Sequence, residues 1–147
     1  MIIRHFQDTD TEELVEIWYN ASVIAHSFIA KEMWESHKDE LRNKYLPQAE
    51  TWIAEENGNL FGFISLVGNY IGGLFVSPGK QGVGIGTHLL EQAKKVKKQL
   101  LVGVYSKNNA ARRFYIKNGF TYVSQEVQPE TGEIVINMAW SKMDMPL

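Results

Sequence analysis

The sequence predicts an α/β fold with a mixed, mostly antiparallel sheet, built as one domain over residues 1–147. Three observations carry this prediction. Apolar runs of strand length recur along the chain, amphipathic runs with helical periodicity separate them, and no repeat or Pro/Ser-rich linker interrupts the sequence. In chain order the elements are β-α-α-β-β-β-α-β-α-β-β. A chain of 147 residues can bury a substantial core as a single domain.

The first half begins with one strand and two helices, followed by a β-hairpin. Thr9 and Glu12 have the spacing of a capping box at the start of the first helix. Pro47 marks the end of the second, strongly charged helix. Asn57-Gly58 is a strong hairpin signal between two apolar runs. The first helix is predicted from one apolar face, made of Leu14, Ile17, Trp18, Ala21 and Ile24. The predicted ranges are residues 2–7 for the strand, about 31–45 for the second helix, and 51–56 and 60–67 for the hairpin strands.

The second half alternates strands and helices around a glycine-rich turn. Gly72-Gly73 lies inside the strand that precedes this turn, and glycine within a strand often marks a bulge or a close approach of another group. Gly119 follows the last helix as a C-terminal cap. The predicted ranges are strands at 70–76, 100–105, 120–127 and 133–140, and helices at 87–98 and 109–118.

Composition and charge exclude several classes of function. With 15 basic and 17 acidic residues, the net charge of −2 gives no electrostatic footprint for nucleic acid. The chain has no cysteine, which excludes disulfides, thiolate metal sites and a cysteine nucleophile. The four histidines are scattered without ligand spacing, so no metal site is expected.

No apolar run is long enough to span a membrane, and residues 1–6 lack the architecture of a signal peptide. We therefore expect a cytoplasmic protein with no membrane partner. A monomer and a homodimer are both compatible with the sequence.

The glycine-rich turn Gln81-Gly82-Val83-Gly84-Ile85-Gly86 is the most informative segment. It leads from an apolar strand into a helix, where the first main-chain N–H groups have no internal partner and favour an anion. A P-loop would require a lysine after the last glycine, but Thr87 and His88 follow. A Rossmann turn would require a different glycine spacing and an acidic residue after the next strand. The segment therefore predicts a binding site for a phosphate or a pyrophosphate.

Two motifs, in the order expected along the chain, resemble those of the GNAT superfamily, the acetyl-CoA-dependent N-acetyltransferases. The first is the pyrophosphate loop Gln/Arg-x-x-Gly-x-Gly/Ala, and the second is Asn-x-x-Ala-x-x-x-Tyr-x-x-x-Gly-Phe. The matching residues are Gln81, Gly84 and Gly86 in the first motif, and Asn108, Ala111, Tyr115, Gly119 and Phe120 in the second. Together with the element order, the resemblance covers nearly the whole chain. It implies that the fourth and fifth strands splay apart around acetyl-CoA.

The resemblance also implies roles for individual residues. Tyr115 would act as general acid toward the departing CoA thiolate, because a phenol can donate a proton or a hydrogen bond there. Asn108 would contact the pantetheine arm, although a helix N-cap explains it equally well. The main chain of Leu74, Phe75 and Val76 would bind the pantetheine and the thioester carbonyl. The residues that would hold the pyrophosphate are Gln81, Gly82, Val83, Gly84, Ile85, Gly86 and Thr87.

The general base and the acceptor are less defined. Some members of the family use a glutamate on the fourth or fifth strand, but residues 70–76 and 100–105 contain no acid. His26 is a candidate base or acceptor contact because imidazole titrates near neutrality, and Glu32 with a chain of water molecules is an alternative. The acceptor pocket is expected to come from residues 25–45, the hairpin around Gly68-Asn69 and the closing strands, and Trp34, Tyr45 and Tyr70 could line it.

The sequence thus predicts direct transfer of an acetyl group from acetyl-CoA to a primary amine, carried by a small molecule or a peptide. Without a cysteine, the acyl group cannot pass through an enzyme thioester. The alternative is a non-catalytic module that binds or senses acyl-CoA, and the missing strand carboxylate is its main support.

Overall fold

The computed structural model describes residues 1–142, which form a sheet with helices packed on its two faces. The predicted order of elements is confirmed, with most ends displaced by one or two residues. The strands are β1 Ile2–His5, β2 Glu50–Glu56, β3 Asn59–Val67, β4 Tyr70–Val76, β5 Gln99–Tyr105, β6 Thr121–Val127 and β7 Ile134–Ser141. The main helices are α1 Thr11–Ala25, α2 Lys31–Ser36, α3 Ile85–Val96 and α4 Asn109–Lys117.

Within residues 1–142 the sheet has seven strands in the order β1-β2-β3-β4-β5-β7-β6. Neighbouring strands are antiparallel except for β4 and β5, which run parallel. The mixed, mostly antiparallel sheet predicted from the sequence is therefore confirmed. The single parallel pair follows from the crossover through α3, since a parallel connection needs a long excursion across a face of the sheet.

The two faces of the sheet bury different side chains of the same strands. Ala54 and Ile64 pack in the cluster that contains Leu89 and Leu90 of α3. Their chain neighbours, Ile53 and Phe63, pack with Leu14 and Val15 of α1 on the opposite face. This alternation follows from the two-residue period of a strand, and it explains why these runs are apolar at every position rather than at every second one.

The start of α1 differs from the prediction. A turn of 3-10 helix, Asp8–Asp10, precedes it, and the capping interaction joins Gln7 and Asp10. The Asp10 carboxylate accepts a hydrogen bond from the main-chain N–H of Gln7 at 2.8 Å and two from the Arg4 guanidinium at 2.9 Å. The predicted capping box of Thr9 and Glu12 is wrong, because Asp10 also neutralises a cation on β1, a tertiary contact that spacing does not reveal.

The second helical stretch is broken. After α2 the chain continues through the short turns Lys38–Glu40 and Leu41–Tyr45, the latter a π-helical turn, and ends with Leu46–Gln48. The predicted helix at 31–45 is therefore interrupted at His37 and runs on to Gln48, so that Pro47 lies within the last turn rather than after it. Proline is tolerated there because the first residues of a helical turn need no N–H donor.

The glycine pair in β4 marks both a bulge and a close approach. Ser65 pairs with Gly73 and Leu66 pairs with Ile71, so Gly72 is the extra residue on its strand. The hydroxyl of Tyr45 occupies the position that a side chain at residue 72 would take. The broken helical stretch therefore packs against β4 through this tyrosine, at a point that only glycine allows.

Candidate active site

The parallel pair β4 and β5 separates soon after it begins. Only Tyr70 and Ile71 pair with β5, at Leu101 and Val102. On its other side β4 remains paired with β3 as far as Val76. Residues 72–76 therefore have no β5 partner, and the expected splay between the fourth and fifth strands is confirmed.

The ladder between β3 and β4 decides which main-chain groups face the open side. Ser77 donates its main-chain N–H to the Phe61 carbonyl at 2.7 Å. Because hydrogen-bonded pairs alternate along an antiparallel ladder, Phe75 directs its main chain to β3 as well. Leu74 and Val76 then direct their main-chain N–H and C=O groups into the gap between β4 and β5. The Val76 carbonyl accepts a hydrogen bond from the Gln81 side chain at 3.1 Å. The gap thus has main-chain groups of two of the three expected residues on its wall.

The glycine-rich turn forms the open N-terminus of α3. Gly84 is the N-cap residue, with a left-handed φ of 87°, and no side chain caps the helix. The first helical hydrogen bond runs from the N–H of His88 to the Gly84 carbonyl at 3.0 Å. The N–H groups of Ile85, Gly86 and Thr87 precede that bond and have no partner within the helix, so the helix dipole and three donors point at one spot.

The turn, α4 and β4 meet at Gly86. A Cβ atom at residue 86 would lie 3.6 Å from the Phe114 ring and 3.8 Å from Cγ2 of Val76, which is ordinary contact. At Gly82, in contrast, no atom lies within 4 Å of that position, and its φ of 83° is left-handed. Gly86 therefore allows α3 to pack closely against Phe114 and Val76, and Gly82 allows the left-handed turn. The side chain of Val83 is exposed.

Tyr115 lies on α4 with 6% of its surface exposed. Its ring packs edge-on against Phe114 and Phe120, with centroids 5.2 Å and 5.1 Å away. Burial, with a smaller contribution from Tyr70, raises the pKa of its phenol, so the hydroxyl keeps its proton at neutral pH. Among residues 1–142 it has no hydrogen-bond partner, and Tyr115 lines the cavity described below.

Asn108 and His26 form a link between α4 and α1. Oδ1 of Asn108 accepts the Ala111 main-chain N–H at 3.1 Å, which makes Asn108 the N-cap of α4. Its side-chain amide lies 3.1 Å from Nε2 of His26 and donates to that nitrogen. The imidazole proton then resides on Nδ1. Burial lowers the pKa of His26 to about 4, so the ring is neutral at pH 7.

Aromatic side chains surround His26 at the far end of the site. Tyr105, Trp34 and Phe28 have ring centroids 5.0 Å, 5.3 Å and 5.8 Å from the imidazole. Trp34 and Tyr70, two of the predicted acceptor contacts, both line the cavity described below, and their role stays a prediction. Tyr45 contacts β4 through its hydroxyl at Gly72, and burial raises its pKa to about 12.

One cavity of about 850 Å³ connects these parts. It runs from Gly82, Gly84 and Gly86 along the gap beside β4 to the aromatic residues. The charged side chains on its lining are Lys80 and Lys117, and no carboxylate of residues 1–142 lines it. The sequence analysis missed both lysines, since a single lysine in a loop or at a helix end is usually a solvated surface residue.

Two expected absences can be examined within the described part of the chain. Residues 1–142 contain no group of three His, Cys, Asp or Glu side chains arranged to hold a metal ion. No helix of residues 1–142 has the length and apolar character needed to cross a bilayer.

Comparison with known proteins identifies relatives over nearly the full length. The family model described as "Acetyltransferase (GNAT) domain" matches residues 8–142. The chain is 32% identical over 140 residues to peptidyl-lysine N-acetyltransferase YiaC of Escherichia coli, covering 95% of this chain and 96% of that protein. It is 30% identical to peptidyl-lysine N-acetyltransferase YjaB of the same organism, covering 94% and 95%.

Solved structures show the same fold. The apo-form of YjaB from Escherichia coli superposes with a TM-score of 0.83 at 30% identity, covering 95% of this chain and 98% of that one. The PaiA N-acetyltransferase of Thermoplasma acidophilum, solved with coenzyme A, superposes with a TM-score of 0.79 at 24% identity, covering 95% and 98%.

Proposed function

Because the chain belongs to the GNAT acetyltransferase family and transfers an acetyl group from acetyl-CoA to an amine, we propose that its acceptor is a lysine side chain in a peptide or protein. Two full-length relatives carry the name peptidyl-lysine N-acetyltransferase. The observation that carries the proposal is the cavity, which continues past the gap to Trp34, Tyr70 and Tyr105. The apolar stem of a lysine packs well against such rings.

At the other end of the cavity, the free amides at the start of α3 hold the diphosphate of the coenzyme. The gap between β4 and β5 takes the pantetheine arm, where the main chain of Leu74 and Val76 supplies hydrogen bonds. Lys80 and Lys117 add positive charge to the lining of the cavity. A ligand that carries several phosphate charges fits this end, because its charge is met by cations and amide donors.

The reaction requires a bond to form between the neutral lysine nitrogen and the acetyl carbon, and the carbon–sulfur bond to break. The nitrogen gives up one N–H proton to solvent as the amide forms, and the departing thiolate takes one proton up. Main-chain N–H groups in the gap stabilise the negative charge that develops on the carbonyl oxygen. Tyr115 donates a hydrogen bond to the sulfur as it leaves. Since burial raises the pKa of Tyr115 well above that of a thiol, the phenol acts mainly as a hydrogen-bond donor and completes proton transfer only together with solvent.

We assign His26 a positioning role rather than the role of general base. Its Nε2 lone pair already accepts from Asn108, and its pKa of about 4 makes it a weak base. An alkylammonium has a pKa near ~10.4, so proton transfer from it to His26 is strongly uphill. Because the described lining has no carboxylate either, the acceptor amine loses its proton to solvent before it reaches the thioester.

A panel of amines tests the proposed acceptor. The protein has no cysteine, so any free thiol that appears with acetyl-CoA belongs to released CoA. We expect thiol release with a peptide that contains an internal lysine and a blocked N-terminus, and mass spectrometry should place the acetyl group on Nζ. The matched control is the same peptide with the lysine replaced by norleucine. Release only with a free N-terminus or a polyamine would refute the lysine assignment, and release without any amine would point to hydrolysis.

A further inference from the structure

The edge of the sheet beside the acceptor end carries a carboxylate that the mechanism above does not use. β6 is the edge strand of the sheet, next to β7, and each of its seven residues is exposed. The register places Tyr105, Val135 and Glu126 directly beside one another on β5, β7 and β6. Directly opposed residues project from the same face of a sheet. Since Tyr105 and Val135 line the cavity, Glu126 is the next side chain beyond its wall.

Glu126 is also the carboxylate of this hairpin that lacks a side-chain partner. Within residues 121–141, Glu130 pairs with His37 at 3.1 Å and Glu133 pairs with Lys107 at 3.2 Å. Glu126 has no ion pair or hydrogen bond with any residue of 1–142. The hairpin therefore presents one carboxylate without a side-chain partner in residues 1–142, beside a cavity whose described lining has no carboxylate.

Tyr70 connects this charge to the interior of the site. A Cβ atom at Gly103 would lie 3.0 Å from the Tyr70 hydroxyl and 3.1 Å from Cγ1 of Val135, so the phenol reaches across the point where β4 and β5 separate. Burial raises the pKa of Tyr70, and the charge of Glu126 adds to that rise. The carboxylate thus acts electrostatically on a hydroxyl that faces the cavity.

We propose that Glu126 binds a positively charged group of the acceptor at the mouth of the cavity. The inference rests on the proposed function, because it concerns the acceptor of that reaction. The Glu126 carboxylate, whose charge acts on the Tyr70 hydroxyl and whose residue follows Tyr105 and Val135 in register, provides oxygen acceptors for an ammonium or a guanidinium group. Such a group is either the ammonium of the reacting lysine as it enters or a basic side chain next to it in the peptide.

Steady-state kinetics with two peptides separates these sources. Both contain one internal lysine and a blocked N-terminus, and they differ in one flanking residue, arginine or glutamine. We expect Glu126→Gln to raise the acceptor KM about tenfold, the effect of losing one charged hydrogen bond. The Kd for acetyl-CoA and kcat should stay unchanged, and Glu126→Asp should recover part of the loss. Glu130→Gln is the matched control, since that exposed carboxylate is already paired with His37.

The outcomes are distinct. A higher KM with both peptides assigns the reacting ammonium to Glu126, and a higher KM with the arginine peptide alone assigns the neighbouring cation. An unchanged KM with both peptides, or an equal rise in Glu130→Gln, overturns the inference while the proposed function stands. If the wild-type protein releases no CoA with either peptide, the lysine assignment itself fails, and the inference fails with it.

Discussion

The side-chain amide of Asn108 lies 3.1 Å from Nε2 of His26 and joins the N-terminus of α4 to the C-terminal end of α1. Because Oδ1 of Asn108 caps α4 at the same time, both ends of this side chain are engaged within the protein. The contact fixes the helix that carries Tyr115 relative to the helix that ends at the aromatic acceptor region. Asn108, a residue of the second sequence motif, thereby aligns the two halves of the cavity.

The buried state of His26 predicts a pH dependence of stability. The pKa of His26 is about 4 in the folded protein and about 6.5 in the unfolded chain, so the unfolded state binds a proton first as the pH falls. The free energy of unfolding should therefore contain a contribution that is complete above pH ~6.5 and declines toward pH ~4. NMR titration of the His26 ring checks the pKa directly. A midpoint near the ordinary histidine value would contradict the burial described here.

Asn108→Asp separates the two contacts of Asn108. A carboxylate still caps the N–H of Ala111, but it cannot donate to a neutral imidazole. We expect the variant to keep the stability of α4 and to raise the pKa of His26, because a nearby negative charge favours the imidazolium. Asn108→Ala is the comparison, and loss of the cap should cost about 1 kcal/mol of folding free energy. Equal His26 pKa values in the wild type and Asn108→Asp would show that the two side chains do not interact.

The contact between Tyr45 and Gly72 predicts a local intolerance to any side chain at residue 72. Gly72→Ala should lower the free energy of unfolding by about 1–3 kcal/mol, since the methyl group and the Tyr45 hydroxyl need the same space. Urea denaturation measures the loss. Gly86→Ala is the matched control and should be tolerated, because its methyl group would make only ordinary contacts.

A double mutant tests whether Tyr45 causes that intolerance. Combined with Tyr45→Ala, the Gly72→Ala change should cost less than it does alone, because the shortened side chain leaves room for the methyl group. Strictly additive losses would mean that the strain at residue 72 comes from elsewhere.

Tyr115→Phe should lower kcat for acetyl transfer while leaving the Kd for acetyl-CoA unchanged. The phenol hydroxyl acts on the sulfur in the transition state, so its removal affects turnover more than binding. We expect a decrease of about tenfold or more, the effect of losing one hydrogen bond to a sulfur that becomes negative. Calorimetry with acetyl-CoA and the thiol assay provide the two readouts. Phe114→Leu controls for disturbed packing, and unchanged kcat in Tyr115→Phe would remove the hydroxyl from the mechanism.

The absence of a carboxylate from the described lining predicts how the rate depends on pH. If the lysine loses its proton to solvent, kcat/KM for a lysine peptide should rise about tenfold per pH unit between pH ~7 and ~9, following the fraction of free amine. The measurement is thiol release at saturating acetyl-CoA. A plateau that begins near neutral pH would instead indicate a base within the protein.

The parts of the site that the sequence predicted are those in which one segment carries the whole signal. The turn at Gly84 and Gly86 joins a strand to a helix, and the free amides follow from the geometry of any helix N-terminus. The prediction for Tyr115 rests on the spacing of residues along α4 alone. In each case the chemistry depends on the main chain or on one short helix, and no distant contact is needed to infer it.

The parts that the sequence did not predict depend on contacts between distant residues. Asp10 replaced Thr9 at the start of α1 because Arg4 on β1 reaches it. The interruption at His37 and the π-helical turn at Leu41–Tyr45 were not predicted, because the helical propensity of this stretch is ordinary; the contact of Tyr45 with Gly72 joins two distant segments. Glu126 was overlooked since only the register of β5, β7 and β6 places it beside the cavity.

The central claim is that the free amides at the start of α3 hold the coenzyme, and an NMR titration of the ¹⁵N-labelled protein with CoA tests it most directly. The claim predicts that the amide resonances of Gly84, Ile85, Gly86 and Thr87 shift the most and saturate together with those of Leu74 and Val76. Tight binding that leaves the residues 82–87 resonances unchanged, with the large shifts elsewhere, would contradict the account.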